Sequence, residues 1–591
     1  MLGFHGKILV IDLSAKSFEV RPLREDVLSK TLGGKGLASH LLLEQNPAGV
    51  DPLGPENSMI LATGPVTGTP IWGSCRYGIF TKSPQTGCYS ESYSGGTAAE
   101  YIEKTGYDAI LLRGASDEPA WVEVNEKGAV FHSAQDLWGM ETYDTEDTVK
   151  ARLRNNRPQV SKAGVICIGP AGENQVSCAV IENDYWRSAG RTGVGAVLGS
   201  KKLKAMAFWG RAKKEIAEPA LARSFARKIA SRGKEDAGAK AYKTMGTSML
   251  VDITNQAGCF PTHYWQKGRA EHAEKINASA LHEHLEVTPH ACLKCFMACG
   301  RLSRVREGKY KGLRIEGPEY ETIYAFGGLC DIESIEEIAY LNDVCDRLGL
   351  DTITAGNLVA FTIEAARLNK VDYAISYGEA EGIAELLKDI AYRRGVGAIL
   401  AGGIKHAARE WDLEDLAIHV KGLEPAGYDP RVLKGMGLAY GTSDRGACHL
   451  RATFYKPELS GMIDPDQIEG KAEMFANWED RLTIFDTLIL CRFYRDMYQW
   501  EELATIIKAC TGLNLGVKEI RAIAGGITDD TRRFNIREGF GPREDLLPVR
   551  FYTEPLPETG KVITRTEMDQ LLADYYKARG WDNEGSPPNG R

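Results

Sequence analysis

The hydrophobic period of this chain changes once, and that change limits the available folds more than any other feature. As far as residue 210 the apolar residues fall in short runs broken by glycine: GKILVIDLS (6–14), SMILATGPV (58–66), RYGIFTKS (76–83), YDAILLRG (107–114), AWVEVNEKGAVFHS (120–133) and KAMAFWG (204–210). Several alternate apolar with polar residues, as half-buried antiparallel strands do. From about Glu215 the repeat is that of helices, as in ALARSFARKIASR (220–232), SIEEIAYLNDVCDRLGL (334–350), AGNLVAFTIEAARLN (355–369) and EAEGIAELLKDIAYRR (379–394). Strands followed by helices describe an α+β fold. The expected division is a β-rich domain over 1–212 and mostly helical domains over 213–422 and 423–591. The last two part where KGLEPAGYDPR (421–431) puts Gly and Pro between helical stretches. Ser94–Glu100 reads as a capped helix start, the tail Asn583–Arg591 as loosely ordered, and no internal repeat is visible.

A chain of 591 residues with 43% apolar and 26% charged residues has the composition of an ordinary soluble protein, which excludes disorder and fibrous folds. Its formal net charge of -8 gives no overall footprint for nucleic acid. No stretch approaches the ~18 uncharged apolar residues of a membrane span, and MLGFHGKILVIDLS lacks the basic start and apolar core of a signal peptide. Thirteen cysteines are too sparse for a disulfide framework, so a reducing, cytoplasmic setting is expected. The 63 glycines exceed ordinary usage, which at about 7% would give roughly 41. Glycine serves where backbone turns tightly or approaches a ligand.

The sharpest local signal is Cys292-Leu293-Lys294-Cys295-Phe296-Met297-Ala298-Cys299, three thiols spaced C-x2-C-x3-C. Three sulfurs on one tight segment suit three corners of a cubane iron–sulfur cluster, with a fourth thiolate from elsewhere. Structural zinc is the rival, because His282, His284 and His290 lie nearby. The fourth thiolate is open among Cys75, Cys88, Cys167, Cys178, Cys259, Cys330, Cys345, Cys448, Cys491 and Cys510. Gly193-Val194-Gly195 with Gly199 fails as a dinucleotide fingerprint, since no strand–turn–helix order surrounds it. Arg76 and the Arg187–Arg191 segment are candidate phosphate clamps.

Taken together, Arg76-Tyr-Gly-Ile-Phe-Thr-Lys-Ser-Pro-Gln-Thr-Gly87, Ser94-Gly95-Gly96, Gly169–Asn174, Arg187-Ser188-Ala189-Gly190-Arg191, the cysteine triplet, Gly317–Glu321, Asp346–Asp351, Tyr428–Arg431, Gly446–His449 and Tyr575–Trp581 follow in one order. This pattern resembles the tungsten-dependent aldehyde ferredoxin oxidoreductase family over nearly the whole chain. The resemblance implies a tungsten bis-molybdopterin (tungstopterin) site between a β-rich base and two helical domains, with a [4Fe–4S] cluster beside one pterin. It takes the fourth thiolate from Asp486-Thr-Leu-Ile-Leu490-Cys491. Cys292, Cys295, Cys299 and Cys491 then ligate the cluster. Arg76, Tyr93, Ser94, Gly95, Gly96, Arg187, Ser188 and Gly190 are implied around the pterins, with Asp346, Gly349 and Leu350 at one and Asp486 and Leu490 at the other.

The resemblance points to Glu321 and His449 near the metal, and their types suit proton transfer from water and hydrogen bonding to a developing oxyanion. The implied reaction oxidises a small aldehyde to a carboxylic acid and sends electrons to ferredoxin or an iron–sulfur electron-transfer subunit. Related alternatives are a carboxylic acid reductase, a reductase of aromatic thioesters, or a non-catalytic iron–sulfur subunit. Three positions depart from the pattern. Tyr93 stands where an Asn often helps hold Mg2+ between the pterin phosphates. Ile489 replaces the glycine of the second D-x-x-G-L. Tyr340-Leu341-Asn342-Asp343 lacks the E-x-x-H of a metal-bridged dimer, which leaves oligomerisation to other surfaces. Finally, Arg301, Arg304, Arg306, Lys309, Lys311 and Arg314 face one acid, Glu307, and read as a stretch that steers an acidic electron carrier.

Overall fold

A computed structural model describes residues 1–588. The first third folds into two six-stranded sheets. One is built from β1 (Lys7–Asp12), β2 (Ser17–Pro22), β3 (Met59–Ala62), β4 (Tyr77–Lys82), β5 (Tyr89–Ser94) and β6 (Ala109–Arg113), in the order β2-β1-β6-β3-β4-β5. The other uses β7 (Ala120–Asn125), β8 (Gly128–Ser133), β9 (Gly164–Cys167), β10 (Ile181–Asn183), β11 (Arg187–Ala189) and β12 (Leu203–Phe208), in the order β8-β7-β12-β9-β10-β11. Adding six to each strand of the first order gives the second. The pairing directions also repeat: β1–β6 and β7–β12 are parallel, and the other neighbours antiparallel. The internal repeat that the sequence hides is therefore present as topology.

All six apolar runs become strands, but most are covered on both faces. β4, β7 and β12 are buried along their whole lengths, so the expected half-buried antiparallel sheet is replaced by a mixed sheet packed on both sides. Ser94 ends β5 and is not a helix cap. The helix that follows is Ala98–Glu103, whose Thr97 hydroxyl donates to Asp184 at 2.7 Å. The tail is tied down as far as it is described: Arg532 Nε donates to the Gly585 carbonyl at 2.9 Å, and Arg533 Nη2 to that of Pro588 at 2.8 Å. The rest of the expected loose tail, 589–591, lies outside the described residues.

The remainder is helical apart from a three-stranded sheet, β13 (Leu285–His290), β14 (Gly300–Val305) and β15 (Arg314–Glu316), with the cysteine triplet in its first connection. The predicted helices form as Pro219–Glu235, Ile335–Leu348, Thr352–Arg367 and Ala380–Ala391. One apolar core runs from Ala171 to Trp581 and joins both helical segments. Lys421–Tyr428 is a buried turn inside this core, with Glu424 and Ala426 fully enclosed. At Tyr340–Asp343, Tyr340 stacks on Tyr310 with ring centres 4.6 Å apart, and Asp343 accepts from Arg347 Nε at 2.7 Å. Among the described residues, no helix is long and apolar enough to cross a membrane.

Candidate active site

Two helices end over the β base in the same way. In Ile335–Leu348 the Leu350 N–H returns to the Cys345 carbonyl at 2.9 Å, with Gly349 left-handed at φ 77°. In Lys471–Leu488 the Leu490 N–H returns to the Phe485 carbonyl at 2.7 Å, with Ile489 left-handed at φ 58°. Both are Schellman caps. A glycine–proline turn after the corresponding strand of each sheet receives each cap. Gly169 follows β9 and leaves no room for a Cβ beside the Leu348 carbonyl, while Gly64 follows β3 and does the same at Leu488. The paired D-x-x-G-L segments are thus equivalent seats on a duplicated base.

Between the base and the end of the helix Lys471–Leu488 lies a cavity of about 320 Å³. Its wall includes Arg76, Tyr93, Ser188, Gly190, Glu321, His449, Asp486, Leu490 and Cys491. A second cavity of about 60 Å³ is lined by Cys292, Cys295, Cys299 and Cys491, together with Cys75 and Arg187. Arg76, Cys491 and Phe493 belong to both walls.

The cysteine loop folds back through Lys294 and Ala298, both at positive φ, which turns its three thiols toward one space. Gly96 N–H donates to Cys292 Sγ at 3.2 Å, and a Cβ on Gly95 would approach that sulfur to 2.8 Å. Ser94, Gly95 and Gly96 therefore abut the cysteine loop, with the Ser94 hydroxyl turned to Asn183 Oδ1 at 2.7 Å. Cys75 donates to the Gly96 carbonyl at 3.0 Å, and burial pushes its pKa up to about 12, which keeps it a thiol. The neighbouring histidines are engaged elsewhere: His282 with the Thr244 carbonyl at 3.1 Å, His284 with Glu336 at 2.9 Å and His290 with Glu316 at 3.1 Å.

The expected residues divide unevenly. Asp486 enters the large cavity, with Oδ2 accepting from Arg451 at 2.7 Å and from Arg492. Asp346 stands outside its wall, buried and accepting from Asn342 Nδ2 at 2.7 Å. Burial, with Glu182 and Asp343 beside it, raises its pKa well above the carboxylate range. Gly349 and Leu350 seat the helix end, Leu350 bridging to Ala179. Ser188 lines the cavity and donates to Glu182 at 2.7 Å, while Arg187 turns to the cysteine pocket and pairs with Glu316. Of the Gly190–Gly195 stretch, Gly190 and Arg191 line the cavity. Gly195 and Gly199 instead let the helix Val194–Ser200 lie on backbone carbonyls of Val180 and Gly172.

Glu321 sits in the first turn of Tyr320–Thr322, which runs on into a π-helical turn, Ile323–Gly328. Its Oε2 accepts from Gly427 N–H at 3.0 Å, and its Oε1 lies 3.5 Å from His449 Nε2. Burial raises Glu321 to about pKa 8. Burial lowers His449 well below its usual value, reinforced by Arg191, Arg445, Arg492 and Arg451. Near neutral pH the pair is thus a protonated carboxyl beside a neutral imidazole.

Sequence reading missed most of the arginines. Lys35 Nζ donates to Glu91 at 2.9 Å and Asp444 at 2.6 Å, Arg451 joins Glu91 to Asp486, and Tyr93 OH donates to Glu91 at 2.6 Å. Each is unremarkable alone, and only the fold joins them into a network. Cys448 Sγ accepts from Arg445 Nη2 at 2.9 Å and Leu450 N–H at 3.3 Å. Burial pushes its thiol up, but Arg445, Arg451 and Arg191 bring it to about pKa 7. Arg191 Nε, Arg451 Nε and Nη2, Arg495 Nε, His449 Nδ1 and Glu321 Oε1 are buried without a hydrogen-bond partner among the described residues. Of these, the nitrogens of Arg191, Arg495 and His449 belong to side chains of the cavity wall and suit a large anionic ligand with its own acceptors.

Residues 8–210 match the N-terminal domain of aldehyde ferredoxin oxidoreductase, and residues 224–591 match its domains 2 and 3. The chain is 34% identical to the tungsten-containing aldehyde ferredoxin oxidoreductase of Thermococcus kodakarensis and 33% to that of Pyrococcus furiosus, covering 100% of this chain and 98% of each relative. An aliphatic sulfonate oxidoreductase, WOR-like subunit of Pyrococcus furiosus, is 28% identical over 99% of this chain and 96% of its own. These matches make the chain an oxidoreductase, and it belongs to the aldehyde ferredoxin oxidoreductase family. The active-site complex BamBC of benzoyl coenzyme A reductase, solved with 1,5-dienoyl-CoA, shares the fold: TM-score 0.84 at 22% identity, over 99% of this chain and 96% of that one.

Proposed function

We propose that the chain is a tungstopterin enzyme that oxidises small aldehydes to carboxylic acids and passes electrons through a [4Fe–4S] cluster to ferredoxin or a similar carrier. The observation that carries this reading is the wall of Arg76, Cys491 and Phe493 common to the arginine-rich cavity and the four-cysteine pocket. On this reading an anionic cofactor in the first would lie directly against a cluster in the second. Cys292, Cys295, Cys299 and Cys491 would ligate the cluster. Arg76, Ser188, Gly190 and the unpaired arginine nitrogens would hold the pterins and their phosphates, with Asp486 and Leu490 at one pterin and the Asp346–Leu350 seat at the other. Tyr93 stands where an Asn would help hold Mg2+, and its hydroxyl is already given to Glu91. When bound, the tungstopterin supplies the two-electron redox couple.

The overall conversion, aldehyde plus water to carboxylic acid, releases two electrons and two protons. Glu321 Oε1, unpaired and facing the cavity, takes a proton from water or hydrate once its carboxyl has ionised, near pH 8. His449 Nε2 is placed to hydrogen-bond an oxygen beside Glu321, and its suppressed basicity keeps it a neutral partner. Anaerobic assay of the purified protein with a viologen dye, across aliphatic and aromatic aldehydes, tests the reaction. Elemental analysis should accompany it and return about one tungsten and about four iron per chain. Zinc alone, with no tungsten, would overturn the reading.

A further inference from the structure

The basic stretch that follows the cysteines does not form one face. Arg301 is 1% exposed and its guanidinium donates to the carbonyls of Lys243 at 2.8 Å and Thr244 at 2.7 Å. Lys309 pairs with Glu381. Arg304 and Arg314 oppose each other across β14 and β15. Arg304 is four residues along its strand from Gly300, about 13 Å at strand rise.

Arg301 instead points to the surface that does border the cysteines. The helix Ala237–Met245 ends against the loop, where a Cβ on Gly246 would meet the Cys299 carbonyl at 3.1 Å. Pro219–Glu235 packs beside it, with Gly233 against the Phe296 ring. Between Pro219 and Met245 the sequence carries Arg223, Arg227, Lys228, Arg232, Lys234, Lys240 and Lys243 against two acids, Glu235 and Asp236. Asp236 is spent as a helix cap, accepting from Ala239 N–H at 2.8 Å. All seven basic side chains are exposed, as is Lys294 on the loop itself; Lys294 pairs with Glu100 at 2.9 Å, Lys240 lies 3.7 Å from Glu235 and Arg232 3.9 Å from Glu502, which leaves Arg223, Arg227, Lys228, Lys234 and Lys243 outside any ion pair among the described residues. Leu293, in the wall of the cysteine pocket, and Met245, the last residue of the helix that ends against the loop, are each 37% exposed. A basic rim around a small apolar centre, on a chain whose net charge is -8, is a local reversal of sign beside the one place from which electrons would leave.

We infer that this face, formed by Arg227, Lys228, Lys234, Lys240 and Lys243 with Leu293 and Met245 at its centre, docks a small acidic electron-transfer protein over the cysteine pocket. The inference rests on the function proposed above for its redox role, and on charge complementarity for its partner. Complementary charge raises association rates by about 10–1,000-fold and is screened by salt.

The test compares the holoenzyme with the triple variant Lys234→Glu/Lys240→Glu/Lys243→Glu. Electron acceptors are an acidic two-cluster ferredoxin and a zwitterionic sulfonated viologen. The variant should lose about 10-fold or more in ferredoxin kcat/KM at low salt and lose the wild-type salt dependence, while dye turnover stays within about twofold. Unchanged ferredoxin kinetics in the variant, or an equal loss in Arg304→Glu/Arg314→Glu, would sink the assignment. If the wild type oxidises no aldehyde with the dye, the proposed reaction fails on its own. The surface is then judged by ferredoxin affinity measured calorimetrically at low salt: weaker binding to the triple variant supports it, and equal binding overturns it.

Discussion

Glu321 owes its chemistry to enclosure. A surface glutamate is ionised at neutral pH, whereas here burial holds the proton to about pH 8. Under the proposed function the ionised form is the base, so kcat/KM for aldehyde oxidation should rise with pH through about 8. Glu321→Gln should remove that inflection and lower kcat by about 100-fold or more, with tungsten and iron contents unchanged. A variant that keeps the wild-type pH profile would show that another group carries the proton. At this scale the sequence was informative about residue types and silent about state. It marked Glu321, His449 and Cys491, but their pKa shifts and shared walls come from chain segments far apart. Tyr89–Ser94 makes the same point from the other side. YSESYS carries no apolar run, yet it forms the buried strand β5, because Ser90 meets Thr192 at 2.7 Å and Glu91 is satisfied by Lys35 and Arg451. Sequence reading takes polarity for solvent exposure unless the partner is already known.

The two Schellman caps bring the argument to the level of elements. Gly349 occupies its left-handed position without a Cβ, and one added there would meet Gly169 N at 3.1 Å. Gly349→Ala should cost about 1–2 kcal/mol, from left-handed strain and this close approach, and should lower the thermal midpoint. Ile489 adopts the same left-handed conformation as a β-branched residue, 1% exposed and packed in an apolar cluster. Ile489→Gly relieves about 1–2 kcal/mol of strain but forfeits a buried side chain, for which losses of about 2–5 kcal/mol are typical. The expected net result is destabilisation by about 2 kcal/mol, checked by chemical denaturation, and a more stable variant would contradict it. Helix positions were legible because their apolar period survives in the sequence. The caps' destination was not, since nothing local says that Gly64 and Gly169 receive them.

Across the whole molecule, burial holds several carboxyls protonated near neutrality: Glu182 and Glu321 at about pKa 8, Glu424 and Glu458 at about pKa 7. At these groups the folded state keeps protons that the unfolded chain releases above about pH 4.5, so their contribution to stability falls as pH rises from there through about 8. The slope is at most about 1.4 kcal/mol per pH unit for each such group. The thermal midpoint of the cofactor-free protein should therefore be lower at pH 9 than at pH 6. Glu182→Gln should flatten that decline, and an unchanged slope would remove Glu182 from the explanation.

The paired helix ends part at the residue that follows each cap. After Leu350 the chain places Asp351, the cap of the helix Thr352–Arg367, and after Leu490 it places Cys491, a wall of the cysteine pocket. A frame copied from a single plan thereby gains a front and a back. Under the proposed function only the flank that carries Cys491 would meet the cysteine pocket, so electrons would cross on that side alone.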